Sequence, residues 1–499
     1  MQDGVPSYPK LTEDISTDVC VVGAGIAGLT TAYLLAREGK SVVVVDDGPI
    51  GGGQTERTTA HLTNAIDDNY SEIERLHGEH GSRLAAESHT AAIDRIEKIV
   101  REENIECDFD RVNGYLFAAP DQSAEVLGRE LNAAHRAGLT DVERVGRAPI
   151  AFDTGPCLRF PRQGQFHPLK YLAGLAALIT RDGGRIFTHA HADTITGGSS
   201  ACVHTTHGFT VTAAAIVVAS NTPINDLVAI HTKQAAYLTY VVGVAVPQGS
   251  VTKALYWDTL DPYHYVRLQS GANSTSHDIL IVGGEDHKTG QCDDAPDRYA
   301  RLEDWARARF PMMGQVQFRW SGQVMEPIDG LAFIGCNPMD KENVFIATGD
   351  SGMGMTHGTI AGILLTDLIL GRVNRWEALY DPARKTLRAA KEFAKETSNM
   401  ISQYTDWLTA GDVSSPDEIA RDSGAVVRRG LNKIAIYRDE NGNLHERSAT
   451  CTHLGCIVGW NSSEHTWDCP CHGSRFDKYG QVLNGPAIGD LHDVENKDS

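Results

Sequence analysis

Several short runs of this chain are almost wholly apolar and end at turn formers or charges: residues 18–22 (Asp18-Val-Cys-Val-Val22), 41–45 and 213–219. Runs of this length read as strands buried on both faces of a sheet. Residues 26–38, rich in Leu and Ala, read as the helix joining the first two, so the chain is expected to open strand–helix–strand. Stretches 67–77 and 81–103 place apolar residues at a 3.6-residue period and predict two amphipathic helices with packed apolar faces. Segments 108–119 and 235–295 read as strands of an intervening domain, and 382–397 as charged helix. Residues 411–416 have the Gly, Ser and Pro content of an interdomain connection. No internal repeat or low-complexity tract is present.

Composition narrows the class. A chain of 499 residues allows about three domains, and 41% hydrophobic with 22% charged residues is ordinary for a soluble globular protein. A formal charge of −20 argues against a nucleic-acid partner and suits a basic or neutral redox partner. No apolar run approaches the length of a membrane span, and residues 1–18 lack the basic and apolar regions of a signal peptide. Cys20, Cys107, Cys157, Cys202, Cys292 and Cys336 stand at no ligand spacing and read as reduced thiols. The expectation is a cytoplasmic protein without a transmembrane segment.

The first strand runs into Gly23-Ala-Gly25-Ile-Ala-Gly28, and the next strand ends at Asp46, 18 residues after Gly28. A glycine triplet between strand and helix, with an acid closing the following strand, is a dinucleotide-binding fingerprint. Gly23 permits the tight turn, Gly25 lets backbone approach the pyrophosphate, and Gly28 permits close helix–strand packing. The diphosphate would rest on the helix amino terminus, and Asp46 would hold the ribose hydroxyls. The triplet alone does not separate FAD from NAD.

Near the carboxyl end stand Cys451-Thr-His453-Leu-Gly-Cys456 and Cys469-Pro-Cys471-His472-Gly-Ser474. This pair of loops resembles a Rieske [2Fe–2S] domain, in which two Cys and two His hold the two irons. Cys451 and Cys469 are assigned to one iron, His453 and His472 to the other. A zinc ribbon is the competing reading, but a Cys-x-His pair fits zinc knuckles poorly. The resemblance implies a disulfide between Cys456 and Cys471 and a hydrogen bond from Ser474 to a cluster sulfur. It also implies a covering proline loop at 484–487. Phe476 stands where a tyrosine donor is usual, which places the potential below the top of the roughly −150 to +300 mV Rieske range.

Four further segments resemble the glycine/D-amino-acid oxidase-like (DAO-type) flavoproteins. These are the loop 51–63, which contains Thr55, Thr59 and His61; the strand 216–221; the stretch 320–335, which contains Asp329; and 343–357, which contains Gly349, Gly352, Gly354, Met355 and His357. The resemblance covers about residues 15–372. It implies an α/β fold: a Rossmann-like FAD-binding domain of the DAO/glutathione-reductase type with a mixed-sheet substrate domain, followed by a small all-β Rieske domain. Expected boundaries are 1–375 for the two interleaved flavoprotein domains, 376–411 for a helical connection and 412–499 for the Rieske domain. The combination resembles the YhfW-like group of bacterial FAD-dependent oxidoreductases.

The resemblance implies FAD, with Thr55, Thr59, Gly349, Gly352, Gly354 and Met355 against it. Relatives that bind amino acids carry an arginine where Val324 stands here, so an ordinary amino acid needs another cation. Arg267 is the candidate, because Tyr263, Tyr265 and Arg267 alternate onto one strand face while His264 faces away. His61 and His357 are further candidates for contact with flavin or substrate, and His287 is expected in a turn beyond a strand. The leading expectation is a dehydrogenase that oxidises a small amine or amino-acid-like substrate and passes electrons from flavin to cluster. The external partner would be a quinone, ferredoxin or cytochrome. Reverse flow from an external donor and a non-catalytic redox sensor are the alternatives.

Overall fold

The computed structural model describes residues 5–119, 125–225, 230–271, 276–338 and 340–494; the last five residues of the expected Rieske segment lie outside them. Five parallel strands form the heart of the first sheet, in the spatial order Val344–Thr348, Thr210–Val218, Ile15–Val22, Val42–Val45, Arg185–Phe187. Helix Ile26–Arg37 follows the first strand at once. Its apolar face packs with helix Gly354–Ile369 into a core that includes Val21, Leu29, Val44 and Leu364. Strands of unbroken Val and Ile are buried on both sides, as a parallel sheet requires.

A second sheet of nine strands, mostly antiparallel, carries the substrate side. Its centre is the run of long neighbours Val316–Pro327, Gln234–Pro247, His277–Lys288 and His264–Gln269. His287 lies inside the third of these, buried and stacked on Tyr240 at 5.7 Å, so the expected turn position is corrected. Pairing of His287 with Leu238 and of Lys288 with Tyr237 continues the strand through both residues. The two amphipathic helices follow each other within Asn69–Glu102 and meet at a kink at Gly78, whose φ of 73° is non-helical.

After helix Glu377–Tyr380 the chain passes through Arg384, which enters a buried pair with Asp329 at 2.7 Å. Helix Ala390–Gln403 then leads to a small all-β domain of a three-stranded and a four-stranded sheet. Among the described residues no helix is long and apolar enough to cross a membrane.

Candidate active site and cluster site

A cavity of about 310 Å³ runs between the two large sheets. Gly25, Ile26 and Asp46 line it, as do Thr59, His61, Tyr265 and Met355. Gly23 adopts φ 110°, and a Cβ there would overlap the carbonyl of Ala219. A Cβ on Gly28 would overlap the carbonyl of Gly23, so helix and strand meet at backbone distance. Gly25 caps the helix without any side-chain hydrogen bond, and the first helical amide, on Ile26, donates to Thr55 Oγ1 at 3.2 Å. Free amides, a helix dipole and no occluding side chain form a cradle that fits a diphosphate. Asp46 accepts from the amides of Ala24 (2.6 Å) and Gly48 (2.8 Å), and burial, then Asp47, pushes its carboxyl up to about 7.

Of the histidine candidates, His61 lines the cavity, its Nδ1 3.1 Å from Thr59 Oγ1 and its ring edge-on to Tyr265 at 5.4 Å. Burial, then Arg267, holds His61 down to about 3, so it is neutral at physiological pH. The Nδ1–H of His357 donates to the carbonyl of Asp350 at 2.8 Å, its ring packs edge-on against His89, and burial holds it well below the usual range. Tyr263 and Tyr265 both line the cavity, with ring centres 5.4 Å apart. Arg267 is fully buried and is not part of the cavity wall; burial lowers it to about 10, and its Nε and Nη1 find no hydrogen bond. His264 faces the opposite way, bonded to Asp258 at 3.0 Å and stacked on Trp305.

Four acids that sequence reasoning passed over also line the cavity: Asp67, Asp286, Glu326 and Asp350. Asp67 accepts from the Tyr263 hydroxyl at 3.0 Å, Glu326 from Ser351 Oγ at 2.8 Å and Asp350 from the Met325 amide at 3.1 Å. Burial pushes Asp67 and Asp286 up to about 7, Asp350 up to about 6 and Glu326 well above the usual range. The one available signal was period-two alternation, which sets Glu326 on the same strand face as Val324.

In the small domain the loop pair converges. Cys451, Cys469 and His472 are buried, and the rings of His453 and His472 lie 4.9 Å apart. Cys456 and Cys471 form a disulfide, and the sulfurs of Cys456, Cys469 and Cys471 lie within 4.8 Å of one another. Sharing a proton with Cys469, then the amides of His453 and Leu454 and the Ser474 hydroxyl, hold the Cys451 thiol down to about 7. Two thiols in mutual contact and two neighbouring imidazoles, with amide donors beside the sulfurs, are the donor set that a [2Fe–2S] cluster of mixed ligation requires. Phe476 is fully buried and offers no hydroxyl.

The cluster loops sit directly on the flavoprotein domain. Gln323 Nε2 donates to the carbonyl of Gly473, beside His472, at 2.8 Å, while Gln323 itself lines the cavity. Asn484, Gly485 and Ala487 of the covering loop, with Val482 and Leu483 of the strand that leads into it, are part of the cavity wall. The ring of His231 meets that of His453 at 5.0 Å. Arg57 and Ser321 both bond Glu464, at 2.9 and 2.8 Å, and Asp293 accepts from Ser462. A Cβ on Gly290 would lie 2.8 Å from the carbonyl of Asp468, so the two surfaces meet at backbone contact. Nothing in the spacing of these residues announced the docking.

Comparison with known proteins agrees with this geometry. Residues 18–368 match the family of FAD dependent oxidoreductases (DAO), and residues 409–495 match the Rieske [2Fe-2S] domain. The chain is 32% identical over 496 residues to the Rieske 2Fe-2S iron-sulfur protein YhfW of Bacillus subtilis (strain 168), covering 98% of this chain and 96% of that protein. It is 28% identical over 404 residues to gamma-glutamylputrescine oxidoreductase of Escherichia coli (strain K12), covering 76% and 91%. Among solved structures, glycine oxidase from Geobacillus kaustophilus superposes with a TM-score of 0.62 at 18% identity, covering 74% of this chain and 99% of that one.

Proposed function

Because this chain belongs to the family of FAD-dependent oxidoreductases and ends in a Rieske [2Fe–2S] domain, we propose that it is a dehydrogenase with its first electron acceptor built in. It oxidises a small amine or amino-acid-like substrate and delivers the electrons through its own cluster to an external quinone, ferredoxin or cytochrome. Bound FAD supplies a two-electron hydride acceptor, and the cluster supplies a one-electron carrier. The observation that carries this reading is Gln323, which borders the cavity and bonds the carbonyl of Gly473, the residue after the cluster ligand His472. A permanently docked carrier keeps its effective concentration at the flavin high. The amine half of the reading is supported by the resemblance to a gamma-glutamylputrescine oxidoreductase.

In this reading Gly23, Gly25 and Gly28 open the turn to the diphosphate, and Asp46 holds the ribose. Thr55, Thr59, Gly349, Gly352, Gly354 and Met355 border the ring. Cys451, Cys469, His453 and His472 hold the irons, with Ser474 donating to sulfur. His61, neutral at physiological pH, adds no charge beside the ring, and His357 pins the carbonyl of Asp350 and so the loop that carries it. Arg267 backs His61 as a fixed positive charge. Anaerobic mixing of holoenzyme with an amine panel tests the proposal. The flavin is expected to bleach and the reduced-cluster resonance to appear in the same reaction. Bleaching with a cluster that stays oxidised overturns it.

A further inference from the structure

Resting on that reading, we infer that the substrate is an organic dication, a di- or polyamine with no carboxylate on the reacting carbon. Asp67, Asp286, Glu326 and Asp350 come from four separate segments and converge on one cavity wall. Among the described residues none of them forms an ion pair with Lys or Arg. Asp286 Oδ1 is buried and accepts no hydrogen bond, although its residue lines the cavity. Asp67 is exposed to the cavity and the other three are half-buried against it, so like charges face one another there with no cation between them. A chamber holding four carboxylates is matched by a ligand that brings positive charge.

The cations that could serve a substrate carboxylate are engaged elsewhere. Arg57 is committed to Glu464 and the Ser321 carbonyl, Arg267 stands outside the cavity wall, and Val324 is aliphatic. An amino acid would bring its carboxylate toward like charges with no guanidinium to receive it. Tyr263 and Tyr265 add aromatic faces suited to methylenes and to a cationic head. Glu326, Asp350 and Asp67 are partly occupied by Ser351, the Met325 amide and the Tyr263 hydroxyl, which leaves Asp286, whose Oδ1 accepts no hydrogen bond, as the principal charge contact. At the reacting end the carbon beside nitrogen gives up a hydride to FAD and the nitrogen gives up one proton. A carbon–nitrogen double bond forms, and water adds to release an aldehyde and ammonium.

The test compares diaminobutane, butylamine and glycine for anaerobic flavin bleaching by the holoenzyme. Diaminobutane is expected to act at roughly tenfold lower concentration than butylamine, the effect of one charge contact, and glycine not at all. Bleaching by glycine with diaminobutane inert overturns the substrate class and leaves the dehydrogenase reading standing. Inertness to all three overturns both. A bis-guanidinoalkane gives a readout without turnover: it should raise Tm and perturb the flavin spectrum, and no shift counts against the inference. Asp286→Asn should raise KM for diaminobutane roughly tenfold and that for butylamine less than about twofold; equal changes for the two amines overturn the inference.

Discussion

A side chain on Gly28 would strike the carbonyl of Gly23, and one on Gly352 the carboxylate of Asp67. The first clash lies in the dinucleotide turn, so Gly28→Ala should yield protein with less than about a tenth of the wild-type flavin content, read from the absorption of the purified protein. Such glycines were legible in the sequence because their spacing is local and their task is steric. The carboxylates were not, because Asp67, Asp286, Glu326 and Asp350 share no spacing and meet only in the fold. They have a pH signature. Burial, with Asp68, Asp286 and Asp350 adding to it against the Tyr263 hydrogen bond, raises Asp67; burial raises Asp286 against the Thr239 hydroxyl, Arg298 and His264. Both folded values, about 7, exceed the unfolded value of 3.8. These groups therefore favour the folded state most below the unfolded value, and that contribution is lost as pH rises through about 7. A bound dication relieves the loss, so the Tm increment from a bis-guanidinoalkane should roughly double between about pH 6 and 8. A pH-independent increment would place the ligand elsewhere.

The connecting segment between helices Glu377–Tyr380 and Ala390–Gln403 shows what elements add. Arg384 bonds both oxygens of Asp329 at 2.7 and 2.8 Å, reaches the carbonyl of Ala332, and lies 4.0 Å over the Phe333 ring. Burial alone would push Asp329 up; the charge and hydrogen bonds of Arg384 overcome it and hold the carboxyl at about 2. That depression contributes roughly 2 kcal/mol of stability at neutral pH, lost as pH falls from about 4 through about 2. Arg384→Ala leaves a buried charge unpaired and should cost about 3–5 kcal/mol, measured as a lowered urea midpoint. The motif around Asp329 was readable from its likeness to a family, whereas its partner, 55 residues on, was not. The helix pair at 67–103 was legible because its apolar period persists, and the break at Gly78 falls in the gap between the two expected stretches, 67–77 and 81–103. His287 escaped because its place in the strand is set by pairing with Leu238, 49 residues earlier, which local spacing does not show.

At the scale of the whole molecule, the two redox sites were each legible and their relation was not. Cys and His at short spacing declare a cluster locally, but Gln323 is an ordinary polar residue on a strand until the domains dock. Its side chain donates to Gly473 at 2.8 Å, and its backbone amide takes Gln54 Oε1 at 2.7 Å, so one residue joins cavity wall, flavin-side loop and cluster loop. Gln323→Leu preserves much of the volume but strands the buried Gly473 carbonyl, at a cost of about 1–3 kcal/mol to the docked arrangement. The remaining contacts, from Arg57 and Ser321 to Glu464 and from Asp293 to Ser462, keep the domains together. The expected result is therefore selective. Substrate should bleach the flavin of Gln323→Leu at a rate within about twofold of wild type, while the cluster resonance develops at least roughly tenfold more slowly, since 1.4 kcal/mol is a factor of ten. Stopped-flow absorption for the flavin and freeze-quench resonance for the cluster separate the two phases. If both slow together, Gln323 supports the cavity alone; if neither slows, electrons leave the flavin by a route that does not need this contact.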